Sequence, residues 1–501
     1  MSAPRERLRR VCIVGGGQVA VLTAVAMRRT LPDCQVVLVG TPADPGAYAD
    51  RALTALPFTN ALHERLGVDE QQIVARAGGS HRLVQRYFGW AAPDSMGTMA
   101  YGAELDAQSR TRFAREWGGG PRNAGSGGRV AGSAAHSLAE VLADAGRFAV
   151  PPAGQATPLD GIDFGLRWNG PAYRDLLVAA AQARQVVYVP GTLEGALRDA
   201  AGGLASITVA GQGAIEADLF IDCSGPAGSL IALVAGDAWH DWRPCLPVRH
   251  LFHARPGQPL LALEDRATLV PQGWLSAVAG RDGLHLVLGY GEKVGEAEAR
   301  AALPGQPEAL VEIAPGCRPE SWVGNVVALG DAAAWFEPLA HLNLDLAHRQ
   351  LALLLEMLPG RPIEPLERAE YNRRAALMAA GVRDVLALHY AAPQAQVVFG
   401  QQVLPESVAH MLDQFTRRGR VPFREEAPFA PAEMAALLLS LGYPAGKGAQ
   451  AGSHDAAEAA AARRAFDQRA QAVLAFAPPY RDFITSGAQA TGNPVTDDLQ
   501  Y

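Results

Sequence analysis

Val11-Cys12-Ile13-Val14-Gly15-Gly16-Gly17-Gln18-Val19-Ala20 is the stretch that decides the fold. Four consecutive apolar residues suit a strand buried on both faces of a parallel sheet. The glycines behind them allow a tight turn and close backbone approach, and a following helix offers its N-terminal N–H groups to a pyrophosphate. Working outward, Val21, Leu22, Val25 and Ala26 fall on one helical face, and Arg28 and Arg29 suit the negative C-terminal end. Pro32 ends the helix, Gln35 to Val39 reads as the next strand, and one βαβ unit is complete. The acid that usually closes the second strand on an adenosine ribose is missing. Gly40 follows Val39, and Asp44 is the nearest substitute, equally well placed as a turn residue.

Two later segments make this a flavin-binding pattern rather than a generic dinucleotide one. Ala217 to Gly225 is a strand with a polar, glycine-containing exit, and Gly324 to Ala333 is a strand delivering Asp331, whose carboxylate can accept hydrogen bonds from ribityl hydroxyls. The expected cofactor contacts are Gly15, Gly16, Gly17, Gln18, Val19 and Ala20, with Asp222, Gly225, Gly330 and Asp331. A helix N-cap also accounts for Asp331, and a cap or turn role accounts for Asp222 equally well.

Helical spacing returns from Pro171 to Ala183. Val186 to Val189, Ile207 to Val209, Leu219 to Cys223, Leu284 to Tyr290 and Val326 to Leu329 read as strands. Residues 103–135, rich in Gly, Ser and Arg, read as a flexible insertion, either a lid or a plain loop. Beyond about residue 345 the pattern is mainly helical, with Leu351 to Leu358, Glu367 to Tyr390 and, after a Gly/Ala-rich linker at Gly446 to Gly452, Ala456 to Phe476. The expected architecture is α/β: a Rossmann-like doubly wound FAD-binding sheet with an interleaved substrate-facing sheet over residues 8–345, and a helical C-terminal region over 346–501.

The 501 residues are 49% hydrophobic and 19% charged, a globular composition. A formal charge of −7 leaves little attraction for a phosphate backbone or an anionic membrane, so nucleic acid and membrane are not expected partners. Cys12, Cys34, Cys223, Cys245 and Cys317 show no C-x-x-C spacing, which argues against a zinc site or a disulfide framework and fits a reducing cytoplasm. No metal is expected. The arginines before Val11 imitate a signal peptide, but Gly15-Gly16-Gly17 interrupts the apolar region. Lysine is confined to Lys293 and Lys447.

Over most of residues 8 to 395 the chain resembles the flavin-dependent tryptophan halogenase family. The resemblance rests on Val11 to Ala20, Asp163-Phe164 with Leu176-Leu177, Ala217 to Gly225, Gly273-Trp274, Gly330 to Ala333 with Glu337-Pro338-Leu339, and Tyr371 to Arg374 with Arg383 to Tyr390. It implies FAD supplied reduced by a separate flavin reductase, reaction with oxygen, and hypohalous acid passing down a tunnel to a lysine beside an indole. Where the family has that lysine, this chain has Arg82, which stays protonated and is a poor amine nucleophile. The family's Trp-x-Trp-x-Ile-Pro reads Trp274-Leu275-Ser276-Ala277-Val278-Ala279, and its Glu-Ser-Thr-Gly reads Ala340-His341-Leu342-Asn343. A family segment of glycines and glutamate is replaced by Ala52 to Pro57.

The resemblance makes Arg82 and His341 the catalytic candidates, His341 as a general acid or base, and Trp274 and Glu337 the substrate-binding candidates. Core packing accounts for Trp274 and a structural role for His341 as well. The expected function is an FAD-dependent oxidoreductase that oxidises or oxygenates a small molecule or peptide and is not a standard tryptophan halogenase. The rivals are a degenerate flavin-binding protein with a regulatory role and a true halogenase with an unusual site.

Overall fold

The computed structural model describes residues 6–102, 122–123, 137–151, 154–446 and 456–489. The insertion expected at 103–135 therefore lies almost wholly outside the described residues, as does Lys447. Its strand Arg122–Asn123 pairs with Ser95–Ala100.

The decisive stretch folds as read: the strand Arg10–Val14 runs into the helix Gln18–Thr30 and on to the strand Gln35–Gly40. Val11 to Val14 are wholly buried, as a central parallel strand requires. The sheet has six strands in the order Trp322–Val323, Val326–Ala328, Leu219–Asp222, Arg10–Val14, Gln35–Gly40 and Val187–Pro190. All neighbours are parallel except the first pair. Register explains the site: Val14 lies opposite Asp222, and Asp222 opposite Ala328. The three strands thus end level, so the Gly15 turn, the Cys223–Gly225 turn and the Gly330–Ala332 turn share one edge, where open α/β sheets bind ligands.

A second sheet of eight strands runs Pro307–Glu312, Val248–Ala254, Gly283–Gly291, Gly273–Gly280, Glu264–Val270, Val84–Phe88, Ser95–Ala100 and Arg122–Asn123. The chain passes between the two sheets several times, so they are interleaved in sequence. Ile207 to Val209 belongs to neither; Leu204–Val209 is the middle strand of a separate antiparallel trio with Leu193–Arg198 and Gly213–Glu216.

The boundary expected after residue 345 is corrected by the structure. It cuts the helix Leu342–Glu356, which starts nine residues before the Leu351 read from sequence. Twelve of its fifteen residues are buried, so there is no polar face to mark its beginning. Helices Pro365–Ala391, Pro393–Phe399, Glu406–Arg418, Pro431–Ser440, Ala456–Phe476 and Tyr480–Gln489 complete the mainly helical remainder among the described residues. Phe466, Ala470 and Val473 pack with Leu138, Val141 and Leu142, bringing the chain's end back against the second sheet's cluster. Among the described residues no helix is long and apolar enough to cross a membrane.

Candidate active site

At the level strand ends, Gly15 and Gly16 are held to glycine by neighbouring backbone. A Cβ on Gly15 would lie 2.4 Å from the Cys223 carbonyl oxygen, and one on Gly16 would lie 1.9 Å from that of Thr41. Gly17 caps the helix without a side chain of its own. Its neighbour is the Asp50 carboxylate, whose Oδ1 accepts a hydrogen bond from the Val19 N–H at 2.9 Å. An internal anion therefore sits at the helix N-terminus, where the positive dipole end and free N–H groups favour negative charge. Burial raises the Asp50 carboxyl to about 6, against the pull of the Val19 hydrogen bond and Arg174.

Asp331 is buried; its Oδ2 accepts from the Ala49 N–H at 2.7 Å, and its Oδ1 has no hydrogen-bond partner. Burial, with Asp50 and Asp44 nearby, pushes this carboxyl well above the ordinary range. Gly330 turns the chain with φ +60° and donates its N–H to Gln350. Gly225, also at positive φ, lies against Asp44, which accepts from the Gly46 N–H and so serves its own turn.

Two expected cofactor contacts have other work. Asp222 accepts from Ser224 N and Oγ on one oxygen and from Leu230 and Ile231 N–H on the other, so its carboxylate is committed to the 223–231 turn. These are the bonds of a turn carboxylate. Gln18 likewise spends its amide on Ala49 O and Ala52 O and accepts from the Trp168 indole, pinning the 49–52 segment rather than facing outward. Val19 and Ala20 contribute buried backbone and small side chains.

Arg82 is fully buried. Its Nη1 donates to Asp265 Oδ2 at 2.7 Å, Arg167 Nε donates to Oδ1 at 2.8 Å, and the Thr54 hydroxyl donates to Oδ2 at 3.0 Å. Burial alone would raise Asp265, but Arg167 and Arg82 draw it down to about 2. Burial also works against the charge on Arg82; Tyr101 and Asp265 outweigh it and hold the guanidinium more firmly protonated than in water. Its plane lies over the Tyr101 ring, 5.1 Å from the centroid, while Nε and Nη2 have no hydrogen-bond partner.

His341 begins the helix Leu342–Glu356 in the left-handed region, φ 56°. Burial, then Arg82 and Arg167, lower its pKa to about 3. A ring held neutral in this way is a weak base near pH 7 and offers its nitrogens to hydrogen bonds instead. Its Nε2 is buried and without a hydrogen-bond partner.

Trp274 and Glu337 are brought together through Tyr390. The Trp274 indole donates to Tyr390 Oη at 3.0 Å, and Tyr390 donates to Glu337 Oε1 at 2.7 Å. All three are fully buried, and neither Trp274 nor Glu337 lines either cavity described below. Burial raises the Glu337 carboxyl to about 7, only partly offset by Tyr390. Because its folded pKa lies above the ordinary 4.5, its contribution to stability is intact below pH 4.5 and lost as pH rises toward 7. Glu337→Gln removes this dependence. Relative to the variant, the parent is expected to lose about 1.4 kcal/mol per pH unit, about 3 kcal/mol in all, between pH 4.5 and 7. Urea unfolding at several pH values checks this, and a constant difference between the two proteins would refute it.

Two cavities flank the 52–58 segment. The smaller, about 130 Å³, is lined by Tyr48, Thr54, His253, Ser276, His341 and Asn343 among others. The larger, about 560 Å³, is lined by Leu56, Phe58, Tyr101, Phe423, Phe429 and Met434 among others. The segment between them is stitched to the strand Gly165–Arg167 and its successor: Ala55 N–H donates to Leu166 O, and Trp168 N–H to Leu53 O. Arg82 lies at this partition, joined through Asp265 to Thr54 on one side and stacked on Tyr101 on the other. Asp265, Arg167 and Asp50 went unread in the sequence. Their partners are remote in the chain, and no local spacing announces them. Among the described residues, no group of three or more His, Cys, Asp or Glu is placed to hold a metal ion.

A family model described as tryptophan halogenase matches residues 10–456. Tryptophan 7-halogenase RebH of Lentzea aerocolonigenes is 25% identical over 228 residues, 42% of this chain and 42% of that protein. Uncharacterized protein y4xG of Sinorhizobium fredii is 26% identical over 450 residues, 82% of this chain and 83% of that protein. Among solved structures, Xcc4156, a flavin-dependent halogenase from Xanthomonas campestris, is 24% identical with a TM-score of 0.84, covering 98% of this chain and 100% of that one. BrvH, a flavin-dependent halogenase from Brevundimonas sp. BAL3, is 23% identical with a TM-score of 0.82, covering 97% and 100%. At these identities the solved structures carry the fold, and the match to RebH spans about two fifths of its length.

Proposed function

The chain belongs to the tryptophan halogenase family, a family of FAD-dependent enzymes, and from that premise we propose that it oxidises or oxygenates an aromatic substrate rather than halogenating free tryptophan. It would receive reduced FAD from a separate flavin reductase. Bound reduced FAD would supply the electrons that activate O2. The residues fit this cofactor. The helix N-terminus behind Gly15–Gly17 favours an anion, as the carboxylate on the Val19 N–H shows, a diphosphate would take that place once Asp50 withdrew, and Asp331 has an unused acceptor oxygen for a ribityl hydroxyl. Thr54, Ser276, His341 and Asn343 would border the ring system, with the substrate in the larger aromatic cavity.

The observation that carries the reading is Arg82. A guanidinium locked on Asp265 cannot become an amine nucleophile, but its spare N–H groups can donate to oxygen on a reactant that reaches the partition. A degenerate flavin-binding protein is the second reading, favoured by the carboxylate already seated at the helix N-terminus.

The absorption spectrum of the purified protein with and without added FAD tests cofactor binding. Mass spectrometry of candidate aromatic substrates with reduced FAD and O2 tests turnover. Arg82→Lys is expected to yield no halogenated tryptophan in chloride or bromide, because it restores the amine while leaving Ala340-His341-Leu342-Asn343 unchanged. Robust halogenation by that variant, or by the parent, would overturn the reading. NADH or NADPH alone is expected to leave bound FAD oxidised under anaerobic conditions.

A further inference from the structure

We propose that Asp50 is an internal occupant of the cofactor's phosphate seat, so that the 44–52 segment must withdraw from the helix before FAD can bind. The inference rests on the flavin reading above and adds a gate to it. Three observations on separate elements carry it.

The first is space. A Cβ built on Gly17 would lie 1.9 Å from Asp50 Cγ and 2.2 Å from each carboxylate oxygen, so the position that close backbone approach would open to a phosphate is filled by this side chain. The second is hydrogen bonding: the Val19 N–H, a donor a phosphate would use, is already given to Asp50 Oδ1 at 2.9 Å. The third is how the segment is held. Gln18 donates to Ala49 O and Ala52 O, Asp331 accepts from Ala49 N–H, and Arg51 donates to Pro45 O, so the chain on both sides of Asp50 is fastened over the glycine turn.

Charge makes coexistence costly. Asp44, Asp50 and Asp331 interact with one another here, and Arg174, whose Nε donates to Gly16 O, is the cation that faces Asp50. A diphosphate seated here meets the Asp50 carboxylate, mostly ionised at pH 7 with its pKa at about 6, as like charge at short range in a buried site. Either Asp50 leaves or the diphosphate does not seat. Asp331, by contrast, keeps a free acceptor oxygen for hydroxyl groups and need not move.

The experiment is FAD titration, by quenching of flavin fluorescence, of the full-length parent, Asp50→Ala and Asp50→Glu, alongside thermal unfolding of each protein without and with FAD. Removing the occupant is expected to tighten FAD binding about tenfold or more. The same change is expected to lower the melting temperature of the FAD-free protein, because the helix loses its cap, and FAD is expected to restore it. Asp50→Glu, which keeps the charge, is expected to bind no better than the parent. Equal or weaker FAD affinity in Asp50→Ala than in the parent overturns the gate and leaves the flavin reading standing. Absence of FAD binding by parent and Asp50→Ala alike overturns both.

Discussion

Gly17→Glu is expected to fold and to lose FAD affinity by about a hundredfold or more. Gly17 has φ −93°, a conformation open to any residue, so the substitution strains no backbone. What a side chain there meets is the Asp50 carboxylate, the far end of a movable side chain, and not main chain as at Gly15 or Gly16. The protein can therefore accommodate the glutamate by shifting Asp50. A diphosphate cannot be accommodated in the same way, since the new carboxylate would lie across the helix N-terminus. Calorimetric titration with FAD and circular dichroism of the same sample give the answer. A folded variant with the parent's affinity would remove the Gly15–Ala20 turn from the cofactor site.

The largest expected effect on stability is at Asp265. Asp265→Ala leaves Arg82 and Arg167, both wholly buried, facing each other without their shared carboxylate, and breaking a buried pair from one side typically costs about 3–5 kcal/mol. Asp265→Asn keeps the shape and the acceptor for Thr54 but not the charge, and is expected to fall between. With its folded pKa drawn below the usual 3.8 to about 2, the contribution of Asp265 is present above pH 3.8 and lost as pH falls through 2. Urea unfolding near pH 7 measures the first effect, and a loss under about 1 kcal/mol would show that the triad is not a structural unit.

The sequence carried the frame of the nucleotide end because its signals are local. An apolar run, a glycine turn and an amphipathic helix sit side by side in residues 11–30, and each later strand ends in its own turn residues. Strand register then brings Val14, Asp222 and Ala328 level without any further information. The reactive end was legible only in part. Arg82 could be singled out by resemblance, but the residue that fixes its chemistry, Asp265, is 183 positions away on another strand. A carboxylate in a strand of ordinary composition has no signature until the fold brings two arginines to it. His341 shows the opposite difficulty. Residue type suggested titration near neutrality, and only burial beside Arg82 and Arg167 reveals a ring kept neutral. Trp274 and Glu337 were singled out by resemblance, and their pairing through Tyr390 into one buried unit had no local signal in the sequence. Asp222 supported two readings in the sequence because its four donors, on Ser224, Leu230 and Ile231, gather around it only when the 223–231 turn folds.

The stitched segment at 52–58 has a consequence for altering this protein. Its two faces serve different rooms: Thr54 belongs to one, Leu56 and Phe58 to the other, and its backbone is tied down by the strand at 165–167. Met411, Phe423 and Met434 border the larger room and not the smaller one. On the proposed reading, substitutions there would reshape selectivity as an independent module, like changing the die of a press while its drive stays untouched, because Asp265 holds Arg82 from the opposite side.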